Sequence, residues 1–416
     1  MKKLAIIITH PIQYYVPVFS LLAQQCKLKV FYTWGEDSIK AKYDPGFGKT
    51  IAWDLPLLEG YEYELLKNTS KDPGSHHGKG IINPHIIKKI EEFSPNAILV
   101  YGYIYQSHFK AMRHFKGKIP IWFRGDSTLL DEKFGFKSII KKFYLKWVYS
   151  HLDKAFYVGT KNKAYFKKFG LKEEQLIFAP HAIDNERFAS NRKLEAKALR
   201  ERLCITEDSV LILFAGKLER KKNPKLLLEA FIDLITERIE ENRKLRIVSP
   251  KIPETNYTTN VHLLFVGNGV LEKTLKKKVS LLNSNIYLKP RIINKVHFID
   301  FQNQTQMPII YQACDIFCLP SQGPGETWGL AVNEAMASAK AIIVSDKVGC
   351  AVDLVKTNIN GYIFKSGDKR DLVEKMSLII LSSKKQSFGR QSSELIRNWN
   401  FKAIADTLIE NLLILT

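Results

Sequence analysis

Residues 315–344 run through a short apolar segment closed by Pro320, a loop built on Gly323-Pro324-Gly325, small helix-favouring residues over 329–338, and a second apolar segment from Ala341. Strand, glycine-rich loop, helix, strand is a βαβ unit, which commits the chain to a parallel sheet covered by helices. Ligands of such sheets bind outside the carboxyl ends of the strands, so this loop is a candidate site. Glu326 stands on the loop just before the helix, and Glu334 sits further along it. A rise of about 1.5 Å per residue, added to the loop, separates the two carboxylates by roughly 10 Å. The amides of Trp328, Gly329 and Leu330 lie between them and suit an anion. Two carboxylates beside an anion site suit a ligand that presents sugar hydroxyls, a diphosphate and ribose hydroxyls in that order. The alternative is a buried helix start with two solvated glutamates.

The same alternation recurs along the chain. Residues 4–9 read as a strand, 12–24 as a helix and 28–32 as the next strand, which places His10, Gln13 and Tyr14 at the first strand-to-helix crevice. They are candidates to touch a ligand there; alternatively His10 caps the helix and Tyr14 packs inside. No GxGxxG stands at this turn, against a dinucleotide fingerprint. Residues 36–80 are rich in Gly, Pro, Asp and Lys and read as long loops. His76 and His77 have no carboxylate or cysteine at a metal-ligand offset, so they are read as solvated and no metal site is expected. Further strands are expected at 97–101, 119–123, 155–159 and 175–178. Arg124 and Asp126 follow one of them, either as part of a cleft or as an ion pair fastening the loop.

Between residues 133 and 168 lysines face a single acid, Asp153. Phe136, Ile139, Ile140, Phe143 and Trp147 share one helical face, flanked by Lys137, Lys141, Lys142 and Lys146. Such a helix either packs its apolar face on the sheet or docks on an anionic membrane. Packing is preferred, because an α/β sheet needs covering helices.

The polar stretch after residue 178 places a domain boundary near Asp184, and a second βαβ series starts with a strand at 210–215. Lys217 and Lys222 border its strand-to-helix crevice, ahead of a helix over 224–237. Residues 239–260 read as a surface insertion, and the GNG after a strand at 262–266 as a tight turn. Residues 288–295, before a strand at 296–299, are candidates for a base pocket. The amphipathic run 401–415 is expected to cross back onto the first domain.

A chain of 416 residues exceeds one ordinary core, so two domains are expected. The five cysteines are scattered without CxxC spacing, consistent with a reducing cytosol. The opening apolar run is too short for a signal peptide and reads as a buried strand. A net charge of +21 implies anionic partners, yet no nucleic-acid-binding module is present. Nucleic acid is therefore not an expected partner.

Together FAGKLERKKNP (214–224), LLFVGNG (263–269), ACDIFCLPS (313–321), ETWGLAVNEAMA (326–337) and NGYIF (360–364) resemble glycosyltransferase family 4, retaining nucleotide-sugar transferases of the GT-B fold. The resemblance implies two facing Rossmann-like domains with parallel sheets. Residues 1–185, joined by the C-terminal helix 401–416, would bind the acceptor, and residues 186–400 the nucleotide-sugar donor. It implies that Lys217 and Lys222 neutralise the donor diphosphate, with lysine where the family more often has arginine at position 217. Glu326 would hold hydroxyls of the transferred sugar, Gly325, Thr327, Trp328, Gly329 and Leu330 would surround sugar and phosphate, and Glu334 would bind the ribose. His10, Gln13, Tyr14, Arg124 and Asp126 are the acceptor-side candidates. No cofactor or metal is expected, since the lysines supply the positive charge. The expected acceptor is a glycan or lipid-linked precursor of a surface polysaccharide, handled in the cytoplasm, with peripheral contact at the inner face of an anionic membrane. The competing readings are a glycoside hydrolase, which the lysines do not serve, and a basic binding protein without catalysis.

Overall fold

The computed structural model describes residues 1–132, 135–248, 260–282, 293–382 and 384–415. The chain divides into two compact units: Met1–Lys42, Leu55–Ile183 and Asn398–Thr416 form one, Tyr43–Asp54 and Asp184–Arg397 the other. Residues 43–54, which the sequence reading assigned to the first domain, thus belong with the second unit.

In chain order the first unit contains β1 (Lys3–Ile8) and β2 (Lys27–Tyr32), which precede the short ribbon β3 (Lys42–Asp44) and β4 (Lys49–Ile51). It continues with β5 (Tyr63–Leu65), β6 (Ala97–Tyr101), β7 (Ile121–Arg124), β8 (Lys154–Tyr157) and β9 (Leu176–Phe178). Its sheet has the order β5-β2-β1-β6-β7-β8-β9, with every pairing parallel. Side chains alternate across a strand, so Leu4, Ile6 and Ile8 enter one core while Ala5 and Ile7 enter the core on the opposite face. The first core is closed by the helix Phe401–Leu413, through Ile404, Ala405, Leu408, Ile409 and Leu412, together with Phe19 and Leu22 of the helix Val16–Ala23. Asn400 caps that C-terminal helix by accepting from the Ala403 amide at 2.8 Å.

The second unit contains β10 (Val210–Ala215), β11 (Val261–Val266), β12 (Val296–Ile299), β13 (Ile316–Leu319), β14 (Ala341–Ser345) and β15 (Gly361–Phe364). They form a parallel sheet in the order β12-β11-β10-β13-β14-β15. The strand order reverses between β10 and β13 in this sheet and between β1 and β6 in the other. Such switch points leave a crevice at the carboxyl edge.

Several expectations are corrected. The first helix begins at Val16, not residue 12, because residues 12–15 form a turn with Val16 N–H bonded to Ile12 O at 3.1 Å. Within the expected loops of 36–80, β5 is an edge strand carrying Glu64, which pairs with Lys29 and Lys89; alternating charge hid it. The helix Pro224–Val248 runs through much of the stretch read as a surface insertion, whose residues 249–259 lie outside the described residues. Residues 288–292 of the base-pocket reading lie outside them too.

The apolar face of the helix Phe136–Tyr149 does not pack on the sheet. Phe136, Ile139, Ile140, Phe143 and Trp147 are exposed, Phe136 to 77% and Phe143 to 70%. The helix is held instead by Leu145, Val148 and Tyr149 near its end, and Lys141 lies over the rings of Tyr165 and Phe169. Helical spacing identified a stripe but could not say which stripe faced inward. Among the described residues, no helix is long and apolar enough to cross a membrane.

Candidate functional site

In the second unit Lys222 and Glu326 meet at the switch point. Gly216 ends β10 with φ +145°, and the Lys222 side chain folds over it, 3.3 Å from where a Cβ would stand. Gly267 ends β11, and a Cβ there would lie 2.2 Å from Gly216 O. The close approach of the two turns therefore requires glycine at 267, while Gly216 is favoured by its positive φ. The GNG segment serves this packing: Leu218 N–H bonds to Asn268 O, and Leu271 N–H to Leu218 O, both at 2.9 Å.

Lys222 Nζ stands 2.8 Å from Glu326 Oε2, which also accepts from Ser321 Oγ at 3.0 Å. Their side chains are 16% and 8% exposed, so Glu326 is not a solvated surface acid. Two loops that follow neighbouring strands, β10 and β13, thus meet through one buried ion pair. Lys217, from the same loop as Lys222, pairs with Asp44 at 2.9 Å. Burial disfavours the Asp44 carboxylate, but hydrogen bonds from Lys217 and from the Gly46 and Phe47 amides outweigh it and hold its pKa below the usual range.

The loop bearing Glu326 is set by its neighbours. Gly325 and Gly329 adopt φ +91° and +98°, and Gly329 precedes the helix Leu330–Ala337. Thr327 is half-buried and Trp328 buried; the Trp328 indole donates to Asn333 Oδ1 at 3.0 Å. Trp328 therefore anchors the loop from below and can offer a ligand little beyond its backbone. The following loop packs so tightly that a Cβ on Gly349 would lie 1.7 Å from Thr327 O. Glu334 is buried on the helix and accepts a 2.8 Å hydrogen bond from the Tyr311 hydroxyl.

In the first unit His10 follows β1, its Nδ1 2.8 Å from Thr9 Oγ1 and its ring edge-on to Trp34. Gln13 and Tyr14 are half-buried beside it in the chain. Arg124 is buried, donating to Ala179 O at 2.9 Å and Pro180 O at 2.7 Å. These two bonds fasten the chain after β9, the loop-tying alternative weighed for Arg124, while its Nε is buried without a hydrogen-bond partner. Half-buried Asp126 acts electrostatically on Tyr15 and on buried His181. Burial pushes the His181 imidazole down to about 4, with Asp126 opposing and Arg124 adding to the shift. Tyr15 stacks on His181 at 6.0 Å, and burial raises its phenol well above the usual value.

Sequence reading passed over Tyr311, Ser321, Asp44, Tyr15 and His181. Tyr311 lies on a helix outside every motif, while His181 and Asp44 lie in segments read as linker and loop. His76 and His77 also differ from expectation: Asp72 Oδ2 stands 3.4 and 3.1 Å from their Nε2 atoms, a partner supplied by the loop's fold at offsets not recognised as ligand spacing.

Residues 195–394 match the family described as Glycosyl transferases group 1. The chain is 23% identical over 214 residues to a D-inositol 3-phosphate glycosyltransferase of Stackebrandtia nassauensis, covering 51% of this chain and 43% of that protein. It is 23% identical over 244 residues to a Campylobacter jejuni α-1,4-N-acetyl-D-galactosaminyltransferase named for an undecaprenol-linked substrate, covering 59% and 55%. The chain therefore spans about half the length of such curated relatives. Among solved structures, Anabaena HepE in complex with UDP and glucose matches with a TM-score of 0.65 at 16% identity, over 99% of this chain and 100% of that one. WaaG, a glycosyltransferase involved in lipopolysaccharide biosynthesis, matches with a TM-score of 0.62 at 14% identity, over 98% and 99%. The chain has the GT-B fold.

Proposed function

We propose that the chain is a retaining glycosyltransferase of family 4, moving a sugar from a nucleotide-sugar donor to a glycan or lipid-linked acceptor in cell-surface polysaccharide synthesis. The observation that carries this reading is the buried Lys222–Glu326 pair at a switch point. On this reading the Glu326 carboxylate takes sugar hydroxyls and the Lys222 ammonium takes phosphate. Breaking the anomeric bond puts positive charge on the sugar and negative charge on the departing diphosphate. Lys217, Lys222 and the amides at the start of the helix Leu330–Ala337 meet that negative charge. Glu334, oriented by Tyr311, is assigned the ribose hydroxyls. No protein nucleophile is assigned. The lysines take the role a divalent ion would otherwise fill, so transfer is expected to persist in EDTA.

A panel of nucleotide sugars scored by thermal shift identifies the donor, because a ligand that binds the native state stabilises it. Release of the nucleoside diphosphate is then followed with and without polyprenyl-diphosphate-linked glycans. Release that depends on acceptor, and is abolished in Glu326→Ala and Lys222→Ala, is the expected result. Full activity in both variants would overturn the assignment, and acceptor-independent cleavage of glycosides would favour the hydrolase.

The exposed face of the helix Phe136–Tyr149 supports a peripheral location at an anionic cytoplasmic membrane. Exposed aromatic residues enter the interface while Lys137 and Lys142 meet lipid phosphates. Flotation with phosphatidylglycerol vesicles, lost in Phe143→Ser and Lys142→Glu, is the expected outcome. Equal flotation of these variants would refute it.

A further inference from the structure

Residues 43–54 come from the N-terminal part of the sequence yet are fastened to the second unit along its carboxyl edge. Asp44 takes Lys217 after β10. Lys49 Nζ pairs with Asp300 Oδ2 after β12 at 2.7 Å, and Asp300 is also held by Asn268 after β11. The Phe47 ring meets Phe301 edge-on at 4.8 Å and lies 5.1 Å from Lys217 Nζ. At the far end Asn303 donates to Ala52 O, and Asp54 accepts from the Gln304 and Thr305 amides. The Lys217 side chain runs close over Gly46, its Cδ 2.6 Å from where a Cβ would stand. The strap thus crosses three strand ends, at the edge where ligands of such sheets bind.

Resting on the donor assignment above, we infer that this strap tunes donor affinity: Asp44 is an internal anion that the donor's diphosphate must displace from Lys217. Both are anions competing for one ammonium, and a half-exposed ion pair is weak enough to exchange. The Asp54 contacts stand apart from Lys217, so the strap can yield at Asp44 while staying anchored.

The test is calorimetric titration of the full chain with UDP and with GDP. Asp44→Asn should tighten binding of the diphosphate about fivefold, and Lys49→Gln, which loosens the strap without touching Lys217, should tighten it in the same direction. In a Lys217→Met background, Asp44→Asn should have no further effect. Unchanged or weaker binding in Asp44→Asn, with wild type binding normally, overturns the strap alone. Wild type that binds neither of these nor ADP, dTDP or CMP overturns the donor assignment on which the strap rests.

A separate observation concerns the loop 68–82. Asp72, His76 and His77 each offer one ligand atom, and these atoms lie within 4.8 Å of one another; Asp72 Oδ2 stands 3.4 and 3.1 Å from the Nε2 atoms of His76 and His77, and His77 Nε2 also lies 3.2 Å from the Asp72 carbonyl oxygen. Ligands about 2.0–2.1 Å from a tetrahedral zinc stand about 3.4 Å apart. The loop is braced: Asn68 accepts from the Ser70 and Ile82 amides and donates to Gly80 O, and Tyr105 bonds to Ser75 O. The geometry points to a surface site for a zinc-like divalent cation. Calorimetry with zinc, and the visible spectrum of the cobalt-loaded chain, should show one tetrahedral site that is lost in Asp72→Ala and His77→Ala. Equal zinc binding by wild type and both variants, or none by wild type, overturns it.

Discussion

Replacing Lys222 with methionine tests whether the candidate site is assembled as a buried electrostatic unit. At 2.8 Å and an effective dielectric of about 20, the pair's gross attraction is about 6 kcal/mol. Withdrawing each charge from water costs several kcal/mol, so the intact pair comes close to breaking even, whereas deleting one partner strands the other. In Lys222→Met, Glu326 keeps the Ser321 hydroxyl, and the 16% exposure of Lys222 in the parent marks where water can reach it. The cost is therefore placed at the low end of the range for a broken buried pair, about 3 kcal/mol. Glu326→Gln retains the hydrogen-bonding shape and should cost about 1–2 kcal/mol. The double variant should fall short of the summed costs by about 2 kcal/mol, the coupling of two groups in contact. Urea unfolding of the parent and the three variants, with slopes compared to confirm an unchanged transition, measures this directly. A cost below about 0.5 kcal/mol for Lys222→Met, with no coupling, would show an ordinary surface pair and refute the reasoning.

Tyr311→Phe, which removes the hydroxyl orienting Glu334, should raise the donor KM about tenfold with kcat held, as expected for lost uniform binding; a fall in kcat alone would contradict the ribose role. Gly349→Ala forces a Cβ against Thr327 O and should cost about 1–3 kcal/mol in denaturant unfolding while reducing transfer. Buried His108 is held down to about 4 by desolvation, against hydrogen bonds to the Gly102 and Tyr101 carbonyls that favour protonation. Its folded value lies below the unfolded one near 6.5, so the unfolded chain takes the proton first. Its contribution is fully present above pH 6.5 and is lost as pH falls to about 4, for a total of about 3 kcal/mol. Unfolding free energies measured over that window should decline, and less steeply in His108→Gln.

The parallel sheets were readable because strands such as 97–101 and 210–215 are continuous apolar runs bounded by turn residues, as doubly covered strands must be. Lys217, Lys222 and Glu326 were singled out because each stands at a strand end or before a helix start, and Glu334 because it lies further along the same helix. Direct contact between Lys222 and Glu326 was not foreseen, since adjacency of β10 and β13 is a long-range pairing that local spacing does not encode. For Arg124 the sequence left two roles open, because residue type does not distinguish a guanidinium that binds ligand from one that ties down carbonyls such as those of Ala179 and Pro180. The helix Phe136–Tyr149 failed for a different reason: both its stripes are plausible as core, and only tertiary packing selected Leu145, Val148 and Tyr149.

The helix Phe401–Leu413 fills one face of a core otherwise built from residues before Ile183. During synthesis at roughly 5–20 residues per second, the ribosome needs on the order of 10–45 s to pass from Ile183 to Ile404. Throughout that interval Phe19, Leu22 and the adjoining face of β1 have no permanent cover, while residues 184–397 emerge and can condense by themselves. The unit made first is therefore the unit finished last. A nascent chain halted before residue 398 should bind chaperones through this bare face and release them once the final helix docks.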